Sequence, residues 1–191
     1  MRKFIQNLLI LISFLPFLSQ CQNQNSQNYK DANVSFNYPA KWESASSDIK
    51  TAFLKQLEGQ LNVYDGKIIE LQLYILESSS GAMFVFDKAK VPGTLTMDSL
   101  LRQRKQVDKD AMASGYLAKL NKLELINTNG IPMLIEDFIV ENGGNSGRSY
   151  NMRTIVKSVI YEFTVAGLNN DDFPKYKGYL DKIITSFIPS K

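Results

Sequence analysis

The chain has 191 residues, with 22 Lys and Arg against 19 Asp and Glu, no histidine and one cysteine. Without histidine there is no Ser-His-Asp or Cys-His catalysis and no imidazole-bound zinc, and a single cysteine cannot form an intrachain disulfide. Carboxylate, lysine or tyrosine chemistry, hard-cation binding through oxygens, or no catalysis at all is left, and no cofactor is expected.

The first residues read as an export leader. Arg2 and Lys3 form a basic start, and Leu8 to Leu18 follow as an apolar run, the n-region and h-region of a secretory signal. The run is far short of the roughly 20 apolar residues a spanning helix needs, and Pro16 would break a longer one. It ends at Leu18-Ser19-Gln20-Cys21, which holds the only thiol of the chain. This arrangement resembles the lipobox of bacterial lipoproteins, in which the cysteine is diacylated and becomes the first mature residue. Leu18 and Ser19 match that pattern, whereas Gln20 departs from the small residue usual there. The resemblance implies a signal peptide over residues 1–20, lipidation at Cys21 and residence on a membrane of the cell envelope, with the outer membrane as the expected address. Two or three acyl chains at about 0.8 kcal/mol per buried CH₂ hold a protein there almost permanently. The competing expectation is ordinary secretion, with Cys21 discarded or left as a free thiol.

Without Arg2 and Lys3 the basic count drops to 20 against 19 acids. A nearly neutral chain offers nucleic acid no basic face. Residues 21–32 are expected to form the lipidated cysteine and a polar tether, Gln22 to Asn28 having nothing apolar to bury. Residues 33–191 are expected to form one domain.

Val34 to Tyr38 alternates apolar and polar as a half-buried strand does, and Pro39 to Trp42 turns the chain. Ser46 or Ser47 caps a helix starting near Asp48, with Ile49, Phe53, Leu57 and Leu61 on one face. Residues 68–77 fit both periodicities, and Asp65-Gly66 before them tips the reading toward a strand. Met83 to Phe86 is a short apolar strand. Thr96 caps a helix with Asp98 in its first turn, with a one-sided face through Leu100, Leu101, Arg104, Val107, Asp108 and Ala111 and another side that carries Arg102, Arg104, Lys105, Lys109 and Asp110. That basic side is expected to be solvated, with a contact to acidic lipid or a partner as the sharper reading.

From Lys122 to Ala166 the chain reads as antiparallel sheet. Asn129-Gly130 is the type I′ hairpin signal, Asn142 to Gly147 a looser turn, and Lys157-Ser158 a third reversal. Tyr150, Met152, Thr154 and Val156 line the inner face of one strand, with Arg153 outward, and Val159, Tyr161, Phe163 and Val165 that of the next. Phe173, Tyr176, Leu180, Ile183, Ile184 and Phe187 mark a last helix, ended by Pro189. The fold class is therefore α+β, an antiparallel sheet of about six strands flanked by helices on both faces.

Four segments in this order, Val-Ser-Phe-Asn-Tyr-Pro-Ala-Lys-Trp at 34–42, Asn-Gly-Ile-Pro at 129–132, Val-Ile-Tyr-Glu-Phe-Thr-Val at 159–165 and Lys-Ile-Ile-Thr-Ser-Phe at 182–187, resemble the PsbP-like superfamily. That group covers the extrinsic photosystem II protein, the Ran-binding Mog-type nuclear factors and many bacterial lipoproteins. The resemblance implies an antiparallel sheet covered by helices on both sides and no enzymatic activity as a family trait. Its members use unrelated surfaces for unrelated partners, so no binding residue carries over.

Among polar and aromatic candidates, Trp42 is expected to plug the core at the sheet's end, with a ligand platform as the alternative. Glu136 and Asp137 are neighbours on a strand and so face opposite ways. They cannot act as one acid/base pair, and an ion pair with Arg153 or Arg148 across the hairpin is expected. Glu136, Tyr150, Arg153 and Trp42 are the candidate ligand or partner contacts. The expected function is that of a lipid-anchored, monomeric, non-enzymatic accessory with an unknown protein partner. The rival is a small hydrolase or isomerase using carboxylate or lysine chemistry between sheet and helices, which would need Glu136, Arg153 and Tyr150 around one cavity.

Overall fold

The computed structural model describes residues 26–39, 43–52, 54, 67–77, 82–115, 117–142, 145–168 and 173–190. Among the described residues, ten strands and two long helices follow one another as β1 (Ser26–Lys30), β2 (Val34–Pro39), β3 (Glu43–Ser44), β4 (Lys67–Glu77), β5 (Ala82–Lys90), α1 (Met97–Ala113), β6 (Leu117–Thr128), β7 (Ile131–Asn142), β8 (Asn145–Val156), β9 (Val159–Leu168), α2 (Phe173–Ser186) and β10 (Ile188–Pro189). The main sheet is antiparallel in the order β3-β4-β5-β9-β8-β7-β6, so six long strands carry it and two-residue β3 closes one edge. A smaller sheet, β1-β2-β10, packs on one face beside α2. Helix α1 covers the other face, which gives the α+β arrangement with helices on both sides.

Register decides which side chains meet under each helix. Because the side-chain period of a strand is two, Tyr161, Phe163 and Val165 of β9 enter the α2 face, while Ile160, Glu162 and Thr164 enter the α1 face. On the α2 face Phe163 is surrounded by the rings of Phe36, Phe84, Phe86 and Phe187, with centroids 4.9, 6.3, 4.9 and 5.9 Å away. Edge-on and tilted ring pairs of this kind add about 0.5–1.5 kcal/mol each beyond the area they bury. Helix α2 contributes Phe173, Tyr176, Leu180, Ile183 and Ile184 to the same core. On the α1 face the apolar material falls into two smaller clusters, Leu100, Leu134, Ile160 and Ala89 under α1, and Ala45, Leu73 and Val85 toward the other edge.

The turns follow their chemistry. Asn129 and Gly130 both take positive φ, 55° and 79°, as a type I′ hairpin demands. Lys157 and Ser158 do the same at 49° and 61°, an uncommon conformation for residues with a Cβ. Thr96 caps α1 through a reciprocal pair of bonds with Ser99, and Asp98 sits in the first turn. Ser46 accepts from the Ile49 amide at 3.4 Å and caps the helical residues 47–52.

Several expectations are corrected. Ser26, Gln27 and Asn28, assigned to the tether, belong to β1, because Tyr29 stacks on Phe36 at 4.7 Å and Asn28 bonds Asn37 at 2.9 Å. Residues 68–77, by contrast, lie in β4 and form the strand that Asp65-Gly66 favoured. The strand at Met83 to Phe86 runs on through Asp87 and Lys88 to Lys90, since both charged side chains find partners or cover. Ile49, assigned to the buried face of its helix, is 45 % exposed. Past the last helix, Ile188 and Pro189 pair with Ser35 and Val34 of β2. Phe53, Leu57, Leu61 and Trp42 lie outside the described residues.

Candidate functional site

Glu136 is central to a polar strip sealed between α1 and the sheet. It lies on β7 opposite Asn151 of β8 and is 0 % exposed. One carboxylate oxygen accepts from Arg104 Nη2 at 2.6 Å and Nε at 3.2 Å; the other accepts from Asn151 Nδ2 at 3.2 Å and from Arg153 Nη1. Arg153, opposite Glu162 on β9, donates Nη2 to it at 2.5 Å. Asp87 of β5 stands opposite Glu162 in turn. Register therefore lines up Asp87, Glu162 and Arg153 across three strands, and α1 drops Arg104 and Asp108 onto the strip from above. Arg104 holds both Asp108, at 3.0 Å, and Glu136.

Four carboxyls face two guanidiniums here, and their electrostatics diverge accordingly. Burial raises the Glu136 pKa, but the Arg153 and Arg104 charges and their hydrogen bonds outweigh it and hold the carboxyl far below the usual range. Asp108 is pushed up to about 7, by burial first and then by the Glu136 charge beside it. Its Oδ2 is buried with no hydrogen-bond partner among the described residues. Asp87 also moves well upward through burial and then repulsion from Glu162.

This arrangement clamps α1 to the sheet, since Arg104 of the helix reaches Glu136 of β7. Both Glu136 oxygens are engaged by Arg104, Asn151 and Arg153. No group of three or more metal-ligating side chains occurs among the described residues.

The candidates from sequence separate into different places. Glu136 and Arg153 meet as an ion pair, while Arg153, read as outward, is only 6 % exposed because α1 roofs its face. Tyr150 lies on the opposite face, beneath the start of α2, with Phe173 at 6.1 Å and Lys177 Nζ 4.9 Å from its ring centre. Asp137, also on that face, is gripped by Arg148 through two bonds of 3.1 and 2.8 Å, and the guanidinium lies 3.6 Å from the Phe173 ring. Glu136, Arg153 and Tyr150 therefore do not share one cavity. Arg104, assigned partly to a solvated basic side, instead turns inward. The overlooked members were Asp87 and Glu162, and the available signal was a charged i, i+4 pair, Arg104 and Asp108, on the same helix face as Leu100.

A second cluster joins the small sheet to the main one. Lys88 pairs with Asp31 at 3.1 Å and Glu70 at 2.7 Å, and donates to Tyr29 Oη at 2.7 Å. Asp31 also accepts from the Asn33 and Val34 amides and from Tyr161 Oη.

No protein-family model matches the sequence, and no curated protein matches it either. Solved structures do share its shape. The cyanobacterial PsbP protein CyanoP from Synechocystis sp. PCC 6803 superposes with a TM-score of 0.57 at 17 % identity, over 87 % of this chain and 93 % of its own. LpqN of Mycobacterium tuberculosis, involved in cell envelope biogenesis, gives 0.56 at 10 % identity, over 89 % and 94 %. A protein of unknown function from Pseudomonas aeruginosa gives 0.51 at 13 % identity, over 87 % and 99 %. The antiparallel sheet, its two flanking helices and these superpositions together establish that the chain has the PsbP-like fold.

Proposed function

We propose that the chain is a lipid-anchored, non-enzymatic accessory of the bacterial cell envelope, tethered through acylated Cys21 and working by binding a protein partner at the membrane surface. The observation that carries the reading is the placement of the only cysteine between an apolar leader and a folded strand that begins at Ser26. Among the described residues no helix is long and apolar enough to cross a membrane, so attachment would fall to the acyl chains. Two further features support the accessory role. The polar strip around Glu136 spends its hydrogen bonds on its own members, and LpqN, of the same fold, takes part in envelope biogenesis.

The test is fractionation of cells expressing the full chain or Cys21→Ala. The full chain is expected in the membrane pellet and the variant in the soluble fraction. Density-gradient separation of inner and outer membranes then assigns the address, for which the outer membrane is expected. Equal pelleting of both forms overturns the anchor.

A further inference from the structure

The length of chain between Cys21 and Ser26 limits how the domain can sit on a membrane. Five residue steps reach at most about 18 Å at roughly 3.6 Å each. Ser26 opens β1, the outer strand of the small sheet. That sheet is stacked on the α2 face through Phe36, which meets Phe86 at 5.3 Å and Phe163 at 4.9 Å, whereas α1 covers the other side of the main sheet. Stacked sheets lie about 10 Å apart and a helix with its side chains is about 10–12 Å across, which puts the outward face of α1 at least roughly 20–22 Å from β1. A domain lying on α1 would hold Ser26 beyond the reach of a cysteine buried in that membrane.

The side chains of the two regions agree with this constraint. Pairing of Tyr29 with Phe36 and Gln27 with Tyr38 turns those residues toward the core, and alternation leaves Ser26, Asn28, Lys30, Ser35 and Asn37 on the outer face of the small sheet. Pro39 opposite Ser26 and the exposed Ile188 of β10 opposite Ser35 share that face, so it presents hydroxyls, amides, one cation and an apolar side chain, and no carboxylate of these strands to repel anionic headgroups. Arg102, Lys105 and Lys109 are exposed on α1 and fall within about 60° of one another on the helical wheel, at 3.6 residues per turn.

We propose that the outer face of the β1–β2 sheet is the lipid-facing surface of the anchored protein, and that the basic face of α1 points away from the bilayer that holds Cys21. This orientation rests on the anchor proposed above. It assigns the Arg102, Lys105 and Lys109 stripe to the solvent-facing side, away from the lipid of the anchoring leaflet.

The chain carries no cysteine beyond Cys21, so one introduced thiol can be labelled alone once Cys21 is blocked by acylation. Full-length protein with Asn37→Cys, Lys30→Cys or Gln106→Cys, each bearing a fluorophore, is reconstituted in phosphatidylcholine and phosphatidylglycerol vesicles containing headgroup-spin-labelled lipid. Quenching is expected to be several-fold stronger at positions 30 and 37 than at 106. Equal quenching, or stronger quenching at 106, in protein whose mass shows an acylated Cys21 overturns the orientation alone. A mass without acyl chains removes the anchor and the orientation with it.

Discussion

Beneath α2 the sheet presents Phe84, Phe86, Tyr161 and Phe163, and beneath α1 it presents Asp87, Glu136, Arg153 and Glu162. On β5 and β9 the two sets alternate along the same strands, and β7 and β8 add Glu136 and Arg153 to the ionic one. The α2 side is dry and aromatic, and its attraction is non-directional: any ring of the right volume in the right place contributes. The α1 side is ionic. Its attraction depends on every charge having a partner, because a buried charge left alone costs several kcal/mol. The aromatic face supplies most of the stability, while the ionic face sets where α1 lands on the sheet.

Removing a ring should be the most damaging change. Phe163→Ala deletes a fully buried side chain touching four other rings and is expected to cost about 3–5 kcal/mol, read from urea or thermal unfolding. A loss under about 1 kcal/mol would mean that the α2 side is not the main core.

Glu136→Ala is expected to cost about 3 kcal/mol, because Arg104 and Arg153 lose the charge they share. The comparison sharpens with the double variant Glu136→Leu with Arg153→Met. If the ionic face sets position more than it stabilises, the pair of changes should cost clearly less than the two single losses added together.

The pH response separates the faces as well. Asp108 is raised to about 7 in the folded state, against about 3.9 for an unfolded aspartate. The folded protein therefore binds the extra proton between these values. The stability Asp108 contributes is complete below about pH 4, falls as the pH rises toward 7 and is constant above that. Glu136, held low, works in the opposite sense and loses its contribution only as the pH drops below the ordinary glutamate range, near 4.3. The urea midpoint of the wild type should fall, relative to Asp108→Asn, between about pH 4 and 7. Parallel profiles for the two proteins would show that Asp108 is ionised throughout. Asp87, shifted the same way, leaves a residual slope in the single variant.

The smallest effect belongs to the helix cap. Thr96→Ala removes the side chain that receives the Ser99 amide at 3.2 Å and should cost about 1 kcal/mol. Hydrogen exchange would place the loss in α1, leaving α2 protected.

The strands that alternate cleanly were legible because period two leaves a visible trace: β9 could be read residue by residue, and the Asn129-Gly130 turn named its own geometry. The Thr96 cap and the apolar positions of α2 were legible for similar local reasons. Asp87 and Glu162 were not, because a charged residue between apolar ones on a strand reads as solvent-facing until something is known to cover that side. Arg153 was misplaced for the same reason, α1 being distant in sequence from β8. Ser26 to Asn28 misled in the other direction, as polar residues with nothing to bury that nevertheless form an edge strand through backbone pairing with β2.

Local chemistry along the chain was enough to establish which segments are strands and helices, which faces are apolar, and that Cys21 is the only cysteine and follows an apolar run. Covering both sheet faces was a matter of three-dimensional packing. Only there did α1 seal Glu136, Arg153, Asp87 and Asp108 away from water and give the carboxyls their divergent proton affinities. Alternation in a strand reports that two faces differ, and only the element lying across a face determines whether its charges meet solvent or each other.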